Sequence, residues 1–127
     1  MIKKFTIILW LTFSFFIGNA QTYFSDQQEI TRDIWYIQDV FTSDIDGDGD
    51  KDVLSASSSD NKVAWYENAD SLGTFGAQQI ISTDVLGASL IWACDLDGDN
   101  DQDVISASYS ADSIVWEHSV IINLLPI

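Results

Sequence analysis

Two stretches of the chain place an aspartate at every second position, so neighbouring carboxylates repel one another unless a cation lies between them. The stretches read DIDGDGDKDV (44–53) and DLDGDNDQDV (95–104). Ca²⁺ takes roughly six to eight oxygen ligands, and a tight loop can offer it the carboxylates at positions 1, 3, 5 and 9 and the carbonyl at position 7. The predicted ligands of two Ca²⁺ ions are Asp44, Asp46, Asp48, Asp50 and Asp52 in the first loop and Asp95, Asp97, Asp99, Asp101 and Asp103 in the second.

Other metal sites fit these loops less well. An EF-hand loop needs a bidentate Glu at position 12 and a helix on each side, but position 12 is Ser55 or Ser106 and the flanking residues favour strands. Zinc sites use His and Cys, which do not cluster near either loop, and Mg²⁺ keeps more water than such a loop would leave it. Gly49 permits the sharp turn at position 6, where Asn100 stands in the second loop and tolerates left-handed backbone better than most residues.

The two loops belong to an internal repeat with an offset of 51 residues (95 − 44). Sliding the chain by this offset places one loop on the other and also places Val53–Ser57 on Val104–Ser108. The units span about 24–68 and about 75–119 within a region of repeats at 21–119. A fixed period near 50 residues indicates a propeller or a solenoid array.

Each unit is expected to contain four short strands, because β-branched and aromatic residues recur between clusters of turn residues. Four strands in about 50 residues is the size of one propeller blade, although a solenoid of short strands is a competing architecture. We therefore predict an all-β fold of two four-stranded β-propeller-type blades, each with a calcium loop. Two blades make an incomplete propeller, since a closed one needs at least about four. In the first unit the predicted strands are Gln27–Thr31, Trp35–Phe41, Asp52–Ser57 and Lys62–Glu67.

The composition limits the classes of partner. The formal net charge is −15, and ten of the twenty acidic residues lie in the two loops. Such a surface repels nucleic acid and anionic membranes, so we expect neither as a partner. With 46% hydrophobic residues the chain is too apolar for a disordered acidic tail.

The ends of the chain differ from the repeats. Residues 1–20 combine a basic start, a short apolar run and small residues before Ala20, which predicts a signal peptide cleaved after Ala20. The run is short of the roughly 20 residues of a membrane span, so we expect a secreted or cell-surface protein. Residues 120–127 form a divergent apolar tail. Cys94 is the only cysteine, which excludes an internal disulfide and leaves bound metal as a candidate staple.

The loops, the strand end Trp65–Asn68 and the step Phe75-Gly76 resemble FG-GAP/VCBS repeats, which form the calcium-bearing blades of integrin-α-like β-propellers. The resemblance covers about 24–117. It implies one Ca²⁺ per loop, bound by four Asp side chains and by the carbonyl of Asp50 or Asp101. It also implies that the ions brace the blades and do not catalyse a reaction.

Two functions fit these features. The first is a secreted calcium-binding repeat module with a structural, adhesive or ligand-binding role, part of a truncated array. The alternative is a non-catalytic or accessory region of a secreted carbohydrate-active hydrolase or lyase. We predict no enzyme activity and no catalytic residue, because no set of site partners converges in the sequence. The expected partner is an unidentified protein or carbohydrate, with self-association as a route to complete a propeller.

Overall fold

The computed structural model describes residues 26–119, and within that range it contains seven strands and no helix. No helix in these residues could therefore cross a membrane. The predicted signal peptide (1–20) and the apolar tail (120–127) lie outside the described residues. The strands are β1 (Ile37–Ser43), β2 (Asp52–Ser57), β3 (Lys62–Tyr66), β4 (Gln79–Ser82), β5 (Ala88–Cys94), β6 (Asp103–Ser108) and β7 (Ser113–Glu117).

The first sheet has four antiparallel strands in the order β1-β2-β3-β4. Its inner strand β2 has the predicted bounds and carries Leu54 and Ala56, both fully buried. A tight turn joins β2 to β3, and Asn61 ends it with a φ of 55°. Asn adopts this left-handed backbone at lower cost than most residues, which suits it to the turn.

The second sheet has three antiparallel strands in the order β5-β6-β7, and it repeats the first through the 51-residue offset. In each sheet the connection from the first strand to the second carries the aspartate loop, and the connection from the second strand to the third is a tight turn. The first strand of each sheet has a register shift at the equivalent place, between Ile37 and Asp39 in β1 and between Ala88 and Leu90 in β5. The all-β prediction is thus confirmed.

The prediction of two four-stranded sheets is wrong for the second sheet within the described residues. Gln27–Thr31 is not a strand, and its counterpart in the second repeat, β4, pairs with β3 of the first sheet. The first sheet is thus completed by the start of the second repeat, and no later repeat exists within residues 26–119 to complete the second sheet. The strand boundaries shift slightly elsewhere, since β1 begins at Ile37 instead of Trp35.

The two sheets pack face to face, with β5 lying against β1 and β2. Their shared core includes fully buried Leu54 and Val63 from the first sheet and Ala88 and Ile91 from the second. The Ile91 amide also donates a 3.0 Å hydrogen bond to the carboxylate of Asp39 across the junction. This packing fixes the relative positions of the two aspartate loops.

Candidate metal centres in the aspartate loops

Both aspartate loops leave their sheets at equivalent places. The first connects β1 to β2 after the ladder pair Ser43↔Asp52, and the second connects β5 to β6 after the pair Cys94↔Asp103. The register of each hairpin thus fixes where its loop begins and ends. The loops in turn are held at one end of the two packed sheets, where the side chain of Ser43 donates a 3.0 Å hydrogen bond to Gln102 of the other loop.

The first loop is wound around the carboxylate of its leading aspartate. Asp44 accepts hydrogen bonds from the amides of Gly47 (2.8 Å) and Gly49 (3.0 Å), one at each oxygen. Asp46 accepts one from the amide of Asp48 at 3.2 Å, and Asp48 accepts one from the amide of Asp50 at 2.9 Å. Alternating aspartates thereby turn the backbone in successive steps, as Asx turns do.

The second loop has the same hydrogen bonds. Asp95 accepts them from the amides of Gly98 (2.7 Å) and Asn100 (3.1 Å), and Asp97 accepts one from the amide of Asp99 at 3.2 Å. Asn100 has a φ of 75°, close to the 99° of Gly49 at the same position. The prediction that Asn100 preserves the turn is therefore confirmed.

Each loop brings three metal-ligating side chains together. In the first, carboxylate oxygens of Asp44, Asp46 and Asp48 lie within 4.8 Å of one another. At the second loop the cluster within 4.8 Å differs: it consists of Asp97, Asp99 and His118, which follows β7, and it does not include Asp95. These groups are hard oxygen donors with one imidazole, a set that suits a divalent cation.

Two of the predicted ligands are deeply buried and already serve the backbone. Asp52 is 1% exposed, and its two oxygens accept hydrogen bonds from the amides of Ile45 and Asn68, each at 2.9 Å. Asp103 repeats this with the amides of Leu96 (3.1 Å) and Ser119 (2.9 Å). Each carboxylate oxygen has a second lone pair, so binding a cation as well remains a prediction.

The pKa values of Asp46 and Asp103 shift in opposite directions, although burial acts to raise both. Burial and the nearby charges of Asp48, Asp52 and Glu67 raise the pKa of Asp46, although the Asp48 amide opposes them. Burial also acts to raise the pKa of Asp103, but hydrogen bonds from backbone amides and from Trp116 and the charge of His118 bring it below the ordinary value. Asp46 therefore lies in an excess of negative charge that a cation would relieve.

His118 lies at this site but is not among the ligands predicted from the sequence. Its Nε2 lies 3.4 Å from Asp97 Oδ2 and 3.6 Å from Asp99 Oδ2, and its ring stacks on Trp116 at a centroid distance of 5.6 Å. The 51-residue offset pairs His118 with Glu67, whose charge acts on Asp46 in the first loop. The repeat offset alone does not show that this strand end faces the loop, because that depends on the β6–β7 register.

The two remaining predicted ligands, Asp50 and Asp101, are expected to bind a cation through their backbone carbonyl oxygens. Asp50 accepts a hydrogen bond from the hydroxyl of Ser71, which ties the first loop to the link after β3. Asp101 follows Asp99 in the second loop and donates its amide to the Asp99 carboxylate at 3.0 Å. Cation binding by the carbonyl oxygens of these two residues stays a prediction.

A groove of about 350 Å³ opens between the two sheets beside the loops. Ile45, Trp65 and Val104 line its apolar part, while Asp46 and His118 lie at its polar rim. The groove joins the two candidate metal centres, so a ligand seated there would contact residues from both.

Comparison with known proteins supports the repeat interpretation. A family model described as an FG-GAP-like repeat matches residues 44–106, from the first aspartate loop into β6. No curated protein and no solved structure matches the chain. The matched region contains both loops, which confirms the predicted resemblance to FG-GAP repeats.

Proposed function

We propose that this chain is a secreted FG-GAP-like repeat module in which each aspartate loop binds one Ca²⁺ and the ions stabilise two propeller-type blades. The observation that carries the proposal is the convergence of Asp44, Asp46 and Asp48, whose carboxylate oxygens lie within 4.8 Å of one another. Three charges so close repel, and their combined oxygen set suits Ca²⁺. The same hydrogen-bonded turn recurs around Asp95.

The ions would act on stability. Each loop closes a hairpin of its sheet, so a cation bound only by the folded loop stabilises the folded chain by mass action. At a free Ca²⁺ concentration of 100 times Kd the gain is about 2.7 kcal/mol per site. The protein would then serve as a structural, adhesive or ligand-binding module whose partner is a protein or a carbohydrate.

The alternative is that the chain is a non-catalytic, accessory region of a secreted carbohydrate-active hydrolase or lyase. The groove beside the loops supports it, since Trp65 offers an apolar surface next to acidic rim groups, a combination that suits a sugar ring. Under either function the loops brace the fold, and we propose no reaction for their carboxylates. Glycan-array binding, with Trp65→Ala as the test variant, distinguishes this alternative from a protein-binding role.

Calorimetric titration with Ca²⁺ and thermal melts in Ca²⁺ and in EGTA test the main proposal. We expect two ions per chain and a higher Tm in Ca²⁺, with both effects lost in the double variant Asp46→Asn/Asp97→Asn. Asp84→Asn is the matched control, because Asp84 is an exposed aspartate outside both loops. Equal melting of the wild type in Ca²⁺ and in EGTA would refute calcium binding.

A further inference from the structure

The first sheet buries one face against the second sheet, and the second sheet leaves the equivalent face open. We name the front face of the first sheet by Phe41, Leu54, Ala56, Val63 and Trp65, which pack toward the second sheet. The 51-residue offset gives the front face of the second sheet, defined by Trp92, Ile105, Ala107, Ile114 and Trp116.

Exposure differs sharply between these two equivalent faces. Val63 is 0% exposed in the first sheet, whereas its counterpart Ile114 is 78% exposed. Trp116 is 47% exposed, and Trp92 is 58% exposed although its ring centroid lies 4.5 Å from that of Phe41 in the first sheet. The second sheet thus presents an apolar face of the kind that soluble proteins normally cover. In the first sheet, the equivalent face is covered by the back of the second sheet.

The reciprocal surface is also open. The second sheet meets the first through Val85, Ala88 and Ile91, all of which are buried. The equivalent residues of the first sheet are Ile34, Ile37 and Val40, and we name them its back face. Ile37 is 50% exposed and Val40 is 51% exposed, against 0% for Ala88 and 3% for Ile91. One molecule therefore carries both halves of the junction that it already forms internally.

The pairing of the edge strands supports the same relation between the two sheets as the exposed faces do. β4 pairs with β3 through Val63↔Ser82, Ala64↔Ile80 and Trp65↔Gln79. The same pairs shifted by 51 residues join β7 to the segment Gln28–Thr31, with Ile114 opposite Thr31. Within the described residues β7 has a strand partner on one side only, and Gln28–Thr31 is not in a strand. A free edge accepts an added strand through main-chain hydrogen bonds.

We infer that a second copy of this chain docks head to tail, with the back face of its first sheet on the front face of the second sheet. Its Gln28–Thr31 segment adds to the edge of β7, as β4 adds to β3. The docking reproduces a junction already present in the molecule, which is why it commits to a second copy. A repeated head-to-tail contact closes a ring or extends a filament.

A hydrogen bond between the two repeats at the internal junction has its donor position repeated at one open end and its acceptor position repeated at the other. Asn61 accepts a 2.9 Å hydrogen bond from the amide of Gly87. Asp112 and Tyr36 occupy the equivalent positions, and their φ values of 48° and 57° resemble those of Asn61 (55°) and Gly87 (66°). The backbone at each open end is thus already shaped for this hydrogen bond between copies.

The test uses protein purified after expression of the full chain, studied by sedimentation velocity over a concentration series in Ca²⁺ and moderate salt. We expect the wild type to assemble beyond the monomer as its concentration rises. Ile114→Asp removes the front face and Val40→Asp removes the back face, and each variant alone should stay monomeric. Leu72→Asp is the matched control, since Leu72 is 84% exposed in the link and lies on neither face. It should assemble like the wild type.

Mixing the two disabled variants gives the decisive result. The Val40→Asp chain keeps an intact front face and the Ile114→Asp chain an intact back face, so an equimolar mixture should form a dimer that cannot grow. Circular dichroism of each variant first establishes that it folds. A monomeric wild type, or a mixture that stays monomeric, would overturn the inference.

Other occupants of the front face give different results. If residues 120–127 covered it within one chain, the wild type would remain monomeric and Ile114→Asp would lower the Tm. If two front faces met symmetrically, Val40→Asp would still assemble alone. Either result counts against head-to-tail docking. Calcium titration of the same variants reports on the proposed function separately, because neither substituted residue lies in an aspartate loop.

Discussion

The carboxylate of Asp52 accepts a 2.9 Å hydrogen bond from the amide of Asn68, 16 residues further along the chain. Asp103 holds the amide of Ser119 at the same distance and separation. Because the other oxygen of each carboxylate accepts an amide from its own loop, each aspartate ties the loop to the end of the third strand of its sheet. The brace consists of protein atoms alone, so its contribution to stability and that of metal binding can be separated by experiment.

Asp52→Asn should destabilise the fold even in EGTA. Asp52 accepts a backbone amide at each oxygen, and an Asn side chain has only one oxygen to accept with. Its NH₂ group would face a buried N–H donor, at a cost of about 1–3 kcal/mol for the amide left unsatisfied. Urea unfolding in EGTA measures the loss. An unchanged free energy of unfolding would mean that Asp52 serves only an ion.

Asp48→Asn should lower the stability in Ca²⁺ and leave it nearly unchanged in EGTA. Asp48 lies on the exposed part of the first loop, where its carboxylate accepts one amide from Asp50. We expect a change of at most about 0.5 kcal/mol in EGTA, as for a surface substitution, and a lower Tm than the wild type in Ca²⁺. A matching loss in both conditions would assign Asp48 a structural role and remove it from the proposed ligands.

Acid should weaken the second sheet through Asp103, whose folded pKa lies below its ordinary value of 3.8. A depressed pKa means that the unfolded chain binds the proton more readily. The stability from this carboxylate is therefore present above 3.8 and is lost as the pH falls through the folded pKa.

Unfolding of the wild type and of Asp103→Asn in EGTA, from about pH 6 to about pH 3, measures this effect. The difference in free energy of unfolding between the two proteins should shrink as the pH falls. Asp84→Asn controls for general loss of negative charge, and its difference from the wild type should stay small. A constant difference for Asp103→Asn across the range would contradict the assignment.

The sixth position of each loop should accept Gly or Asn and reject Ala. Gly49 and Asn100 have φ values of 99° and 75°, and a Cβ in left-handed backbone costs roughly 1–2 kcal/mol unless the side chain bonds locally. No other atom lies within 4 Å of a Cβ built on Gly49, so the cost would be conformational and not steric crowding.

Thermal melts of four variants test this expectation. Gly49→Ala and Asn100→Ala should lower the Tm, while Gly49→Asn and Asn100→Gly should melt close to the wild type. If Asn100→Ala melted like the wild type, the second loop would adopt a different turn from the one described.

The sequence was informative where the physics is local. The alternation of aspartates, the turn at Asn100 and the bounds of β2 follow from nearest-neighbour chemistry, and each could be predicted. The destination of β4 could not be, because a short strand with two exposed residues, Gln79 and Ile80, pairs with whichever edge the tertiary fold presents. His118 was missed for the same reason, since its proximity to Asp97 depends on the β6–β7 register and not on sequence distance.

His118→Glu should raise the Ca²⁺ affinity of the second loop. It restores the residue type that Glu67 supplies in the first repeat, and it replaces an imidazole next to Asp97 and Asp99 with a hard, charged oxygen donor. Glu67→His is the reciprocal variant and should lower the affinity of the first loop. Calorimetric titration of the two variants and the wild type resolves the sites, since only one loop changes in each. Equal affinities in all three proteins would show that residues 67 and 118 lie beside the loops without contributing to the ions' environment.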